Sequence, residues 1–219
     1  MAWYDDPCLV DALNRFIAPL RATDRPLRVP IQSVYKIAGV GTVAVGRVET
    51  GVLRIGMTAK FAPVGVAAQV GSIERHHQMM GEAGPGEQVG FAVRGATAKE
   101  LSRGCVASDS KLQPARAASE FTAQVIILDA PHSISAGYTP VVHCHTAHVA
   151  CRFKEITEKI DRQTGEVVEL NPKSVKAGDA CTVVLEPTRP MSVEAFHQYP
   201  PLGRFAMRDR HMTIAVGII

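Results

Sequence analysis

The densest run of chemistry-bearing side chains is HCHTAHVAC, which places His143, Cys144, His145, His148 and Cys151 within nine residues. Imidazole and thiolate are ligand types that zinc takes. Read as one strand, however, alternation sends His143 and His145 to one face and Cys144 and His148 to the other. Cysteine there behaves as a small buried apolar residue, so the strand reading is preferred and no metal is expected. A second cluster, SIERHHQMM, sets His76 and His77 directly after Glu74 and Arg75. It reads as a solvated strand end, with a polar surface pocket as the functional alternative, and Met79 and Met80 as core in preference to a flexible contact surface. The third is RFAMRDRHM, where Arg204, Arg208, Arg210 and His211 stand against one acid, Asp209. Without a bulge, alternation puts Arg204, Ala206, Arg208 and Arg210 on one side. Such a stripe meets phosphates through charge and forked hydrogen bonds, or forms an ordinary charged face.

Signatures of catalysis are missing. The sequence has no phosphate loop of the form GxxxxGK followed by Ser or Thr, and no Gly-Lys pair; GxSxG and HExxH are absent too. The glycines of GVGTV lie between strand-like runs and read as a hairpin turn, not a dinucleotide cradle. No catalytic residue is expected. The 219 residues carry a formal net charge of +3, too weak an excess to choose between nucleic acid and protein as a partner. No apolar run reaches membrane-spanning length, and MAWYDDPCLV lacks the basic start of a signal peptide. Five cysteines without regular spacing favour reduced thiols and a cytoplasmic location.

These side chains must be positioned by strands. The stretch from Pro7 to Leu20 reads as a short amphipathic helix through Leu9, Leu13, Phe16 and Ile17, ended by Pro19. RATDRPLRVP (21–30) is a polar connector that no helix crosses. Beyond it, short apolar segments alternate with turns at Gly39/Gly41, Thr50-Gly51, Gly56, Pro63 and Gly84-Pro85-Gly86. SKLQPARAAS (110–119) reads as a joint, after which FTAQVIIL, VVHCHTAHVACRF, ACTVVLE, RFAMRD and TIAVGII repeat the pattern. Residues 154–179 read as a charged, loop-like insert with a short helical turn near Ile156 to Ile160. The expected fold is all-β, two consecutive β-barrels preceded by a short helix.

DRPLRVPIQSVYK (24–36), GVGTVAVGRVETG (39–51), DAPHSISAGYTPVV (129–142), HCHTAHVACRF (143–153) and YPPLGRFAMRDRHMTIAVGII (199–219) resemble eukaryotic translation elongation factor 1-alpha or its elongation factor-like relative. GRVETG is common to translational GTPases, whereas HCHTAHVACRF with YPPLGRFAMRD is much narrower. The resemblance implies a division into 1–24, the last helix of a GTPase domain with its linker, 25–113, barrel domain 2, and 114–219, barrel domain 3. It also implies that GTP, Mg and hydrolysis belong to a GTPase domain outside these 219 residues.

Carried over residue by residue, the family pattern makes Glu74 the acid that stacks on the terminal adenine of tRNA and His76 the neighbouring backbone donor. Gln88 falls where a backbone acceptor is expected, and Val45 and Ala92 border the adenine pocket, with Ala92 smaller than the pattern anticipates. Contacts to the tRNA stem fall at Arg152, Arg204, Arg208, Arg210 and Thr213. The implied partners are aminoacyl-tRNA, the ribosome, a nucleotide-exchange factor and actin, with no membrane. The leading expectation is a fragment of a factor that delivers aminoacyl-tRNA to the ribosomal A site; the alternative is a stand-alone protein-interaction module.

Overall fold

In a computed structural model of the chain, residues 6–17, 20–130, 132–162 and 164–219 are described. Helix α1 spans Leu9–Asn14 and buries none of its residues. It is shorter than the predicted stretch, part of which (residues 18 and 19) lies outside the described residues. A six-residue helix with no side-chain N-cap and an uncovered apolar face has little to hold it.

Twelve strands build two closed rings. The first ring uses β1 (Val29–Ile37), β2 (Gly41–Arg47), β3 (Thr58–Ala62), β4 (Val66–Arg75), β5 (Gln88–Arg94) and β6 (Val106–Asp109), joined in the order β3-β6-β1-β2-β5-β4 and back to β3. The second uses β7 (Phe121–Ile127), β8 (Val141–Cys144), β9 (Ala147–Ile160), β10 (Ala180–Pro187), β11 (Arg204–Asp209) and β12 (Met212–Ile218), in the order β8-β11-β12-β7-β10-β9 and back to β8. All pairings are antiparallel, and closure gives every ring strand a partner on both sides over part of its length. Alternation fills each interior: Phe61 and Phe91 stack inside the first barrel, while Phe153, Leu185 and Met207 are fully buried in the second.

The insert expected as a loop with a helical turn is in part strand, over 154–160, 167–170 and 174–175, with strand where the helical turn was expected. β9 runs unbroken through Ile156 to Ile160, paired with β10 across two bulges and, at its tip, with Val167–Leu170. β-Branched Ile156, Thr157 and Ile160 suit a pleated surface, and its two lysines pair with acids at the starts of neighbouring strands, Lys159 with Asp179 at 2.9 Å and Lys154 with Glu120 at 2.6 Å.

The barrels meet through side chains of the connector, of the first barrel and of the joint between the barrels. Arg28, 3% exposed, directs Nε to Oε1 of Glu194 at 2.6 Å and lays its guanidinium 4.5 Å from the Tyr199 ring centroid. Arg25 donates to the Gln198 carbonyl and Arg103 to that of Thr146. Ala62, Val106 and Ala115 pack with Tyr199 and Leu202 in a small shared core.

Candidate nucleic-acid interface

On the outside of the first barrel, β-register sets Glu74 opposite Gly90 and Gly90 opposite Val45, in a row across β4, β5 and β2. Partners across an antiparallel ladder face the same side. Glu74 is exposed and Val45 half-buried, so the row faces outward. Gly90 contributes no side chain, and a Cβ there would rest 3.7–3.8 Å from Val43 and Val45. The result is a slot one strand wide, walled by Val43 and Val45 on one side and Glu74 on the other. Ala92 continues its floor between Ser72 and Val43, while Gln88, at the other end, pairs with Arg47 and donates Nε2 to Gln32 Oε1 at 3.0 Å. Four of the five residues assigned to this pocket, Val45, Glu74, Gln88 and Ala92, thus surround Gly90. The sequence reading missed Gly90, although a glycine inside QVGFAVR marks a close approach.

His76, the fifth, lies in the turn beyond Arg75. His76 and His77 both have positive φ, +49° and +62°, and close the hairpin that brings Gln78 back opposite Arg75. This is the solvated strand end expected of them; the His77 imidazole is fully exposed, 3.7 Å from Glu74. Arg75 ties the hairpin down through Glu87 at 2.5 Å, and Glu87 also accepts from the Gly84 N–H at 2.8 Å. Left-handed backbone costs non-glycine residues about 1 kcal/mol or more each. Substituting His76→Asn together with His77→Gly therefore stabilises the protein by about 1 kcal/mol, read as a higher midpoint in urea; an unchanged or lower midpoint contradicts the turn assignment.

The face of the second barrel differs from the simple alternation. HCHTAHVAC is not one strand but a hairpin turning at His145 and Thr146, so His143 pairs with His148 on the outer face. Cys144 and Cys151 point into the core, where burial pushes both thiols up to about 12. His145, with φ +42°, tucks its Nε2 within 2.9 Å of the Ser192 carbonyl, and burial lowers its pKa. The donors of the zinc reading thus lie on opposite sides of the sheet.

Thr213, Arg208, Val141 and Ala150 form one row across β12, β11, β8 and β9, with Arg152 two residues further along β9. The register shifts beside Arg208, where Ile214 is the extra residue in β12, and Arg210 sits in the following turn with φ +52°. Arg210 therefore leaves the stripe. Arg152 is held by Glu186, which its guanidinium keeps below the usual carboxylate range. Arg204, at the other end of β11, lines the groove between the barrels together with Arg47 and Gln88. The five stem residues are thus split: Arg208 and Thr213 share a row, Arg152 lies two residues beyond its β9 end, Arg210 sits in the turn, and Arg204 stands apart.

Residues 41–108 match the family described as elongation factor Tu domain 2, and residues 120–219 match the GTP-eEF1A C-terminal domain-like family. Elongation factor 1-alpha of Onchocerca volvulus is 56% identical over 211 residues, 96% of this chain and 46% of that protein. The Plasmodium falciparum protein of the same name is 54% identical over 217 residues, 99% of this chain and 49% of its own length. The chain is homologous to the two barrel domains of elongation factor 1-alpha. It spans about half the length of the curated relatives it matches. Solved structures of sup35 complexed with GDP and with GMPPNP share the fold, with TM-scores of 0.83 and 0.84 at 30% and 29% identity. Each alignment covers 99% of this chain and 52% of the sup35 chain.

For an elongation factor 1-alpha relative, the junction between barrels is as informative as either face. Arg28 is the residue the sequence reading left in a polar connector, and the structure buries it between the barrels with Glu194 and Tyr199. That contact fixes the slot of the first barrel relative to the arginine row of the second. No described helix is long and apolar enough to cross a membrane.

Proposed function

We propose that these barrels bind aminoacyl-tRNA as part of a GTP-dependent translation elongation factor that delivers it to the ribosomal A site in the cytoplasm. The slot over Gly90 takes the terminal adenine, stacked between Glu74 and Val45, with the backbone at His76 and Gln88 beside the aminoacyl ester. Arg152, Arg208, Arg210 and Thr213 lie along the stem, where phosphate and 2′-hydroxyl contacts suffice without base reading. GTP and Mg are held by the GTPase domain that this family carries elsewhere in its sequence. The observation that supports this most directly is the slot: an absent side chain between an apolar and an acidic wall admits a flat ring. Its floor and apolar wall select no amino-acid side chain, as a carrier of many aminoacyl groups requires.

The test is substitution at Gly90, measured by filter binding of aminoacyl-tRNA to this chain. Gly90→Ala, which fits at ordinary contact distance, leaves affinity within about twofold. Gly90→Leu fills the slot and weakens binding by about 10- to 100-fold, the worth of one stacked base, without moving the melting temperature. Undiminished binding by the leucine variant overturns the assignment.

A further inference from the structure

His143 and His148 stack with ring centroids 4.1 Å apart and planes inclined by 26°. The charges around this pair are mostly guanidiniums. Arg103 comes from the first barrel, Arg189 from the segment after β10, and Arg208 from the strand next to β8. Each of the three donates a hydrogen bond to a backbone carbonyl, those of Thr146, His148 and His211 respectively, and none has a carboxylate within ion-pair distance among the described residues. Nε of Arg208 is buried with no hydrogen-bond partner among the described residues. Arg103, His148 and Arg189 line a cleft of about 250 Å³ between the barrels. A wider cavity that His143 also borders is lined by Arg162 and Arg204 against one carboxylate, Asp161. A further titratable neighbour is the buried imidazole of His145, while the Cys144 thiol points into the core.

We propose that the stacked pair His143–His148, with Arg103, Arg189 and Arg208, is a proton-linked site for a backbone phosphate of the RNA. This rests on the reading that these barrels bind tRNA and adds to it a contact that spans both barrels and responds to pH. The fixed guanidiniums attract the phosphate at any pH. The imidazoles act differently. In the free protein partial burial, and after it the neighbouring positive charges, hold both below the ordinary histidine value. They therefore stand neutral at pH 7, which lets two rings stack among three cations. An arriving phosphate reverses the sign of the local field and raises both pKa values, so binding takes up protons. Affinity then rises as pH falls from the bound-state pKa toward the lower free-state pKa, and is flat above both.

Two measurements test this. In NMR of the chain with 15N-labelled histidine, a tRNA acceptor-stem duplex raises the pKa of His143 and His148. Unmoved imidazoles overturn the proposal, and an equal shift from inorganic phosphate at the same phosphate concentration overturns its assignment to RNA. In binding titrations with aminoacyl-tRNA, affinity rises by about tenfold between about pH 8 and about pH 6, and the double variant His143→Gln, His148→Gln loses that slope while binding as wild type does at the higher pH. Equal slopes in the two proteins overturn the imidazole contact alone, because binding itself persists. Absence of tRNA binding at either pH, with the duplex moving neither imidazole, removes the tRNA reading and this site together.

Discussion

Glu194→Ala destabilises the protein by about 3 kcal/mol, because it strips the partner from a charge that stays buried. Arg28 is 3% exposed, and its remaining contacts are the Leu27 carbonyl at 2.9 Å and the face of Tyr199. Neither supplies a counter-charge. Glu194 is itself partly hydrated, its side chain 17% exposed, which places the effect at the lower end of what breaking a buried pair costs. The double variant Arg28→Met, Glu194→Leu recovers most of the loss, since removing both charges removes the desolvation problem with them. Urea unfolding of the three proteins reads this directly. A loss below about 1 kcal/mol for the single variant shows that water reaches Arg28 and that the pair is an ordinary surface contact.

Gly203→Ala has an effect of comparable size for a different reason. A Cβ at this position would lie 2.4 Å from both the N and the Cα of Phe196, and 2.8 Å from the Glu194 carbonyl oxygen. These are backbone atoms, so no rotamer change relieves the collision. The segment is tied on both sides, Phe196 N–H to the Ile219 carbonyl and Ile219 N–H to the Gly203 carbonyl, each at 2.8 Å. One methyl group therefore forces these ties apart and carries Glu194 away from Arg28. The expected cost is about 3 kcal/mol, the upper end for overpacking, seen as a fall in melting temperature of several degrees. A melting temperature within about a degree of wild type means the 194–203 loop yields freely. Gly90→Ala, with nothing closer than ordinary contact, is the control.

The two-barrel fold was legible because most turns are written in glycine and proline. Gly39, Gly41, Gly51, Gly56 and Gly86 all adopt positive φ where the sequence marks a break. Reading failed where other residues do the same work. At His145 the chain turns left-handed with neither glycine nor proline nearby, so HCHTAHVAC passed for one strand and its histidines were sorted to the wrong faces. Arg210 ends the arginine stripe in the same silent way. The loop assigned to 154–179 came from its charge, yet Lys154, Glu155, Glu158 and Lys159 belong to a paired strand. Burial of Arg28 was out of reach for another reason: its partner lies 166 positions away, and no local pattern encodes it. At the slot, Val45, Glu74, Gln88 and Ala92 came from family pattern, and the glycine that makes room between them did not.

Ring closure also sets an order of events during synthesis. The first barrel closes by pairing Val29 with Ala107, and the second by pairing Gln124 with Ile218, so each joins its earliest strand to its latest. Neither ring can shut until its final strand has been made, and the second must wait for nearly the whole of its sequence. Until then β7 is paired along one edge only, since β12 is its other neighbour. Such long-range closure folds slowly and exposes unpaired strands meanwhile. The first barrel, complete at residue 109, offers a finished surface on which the growing second one can settle.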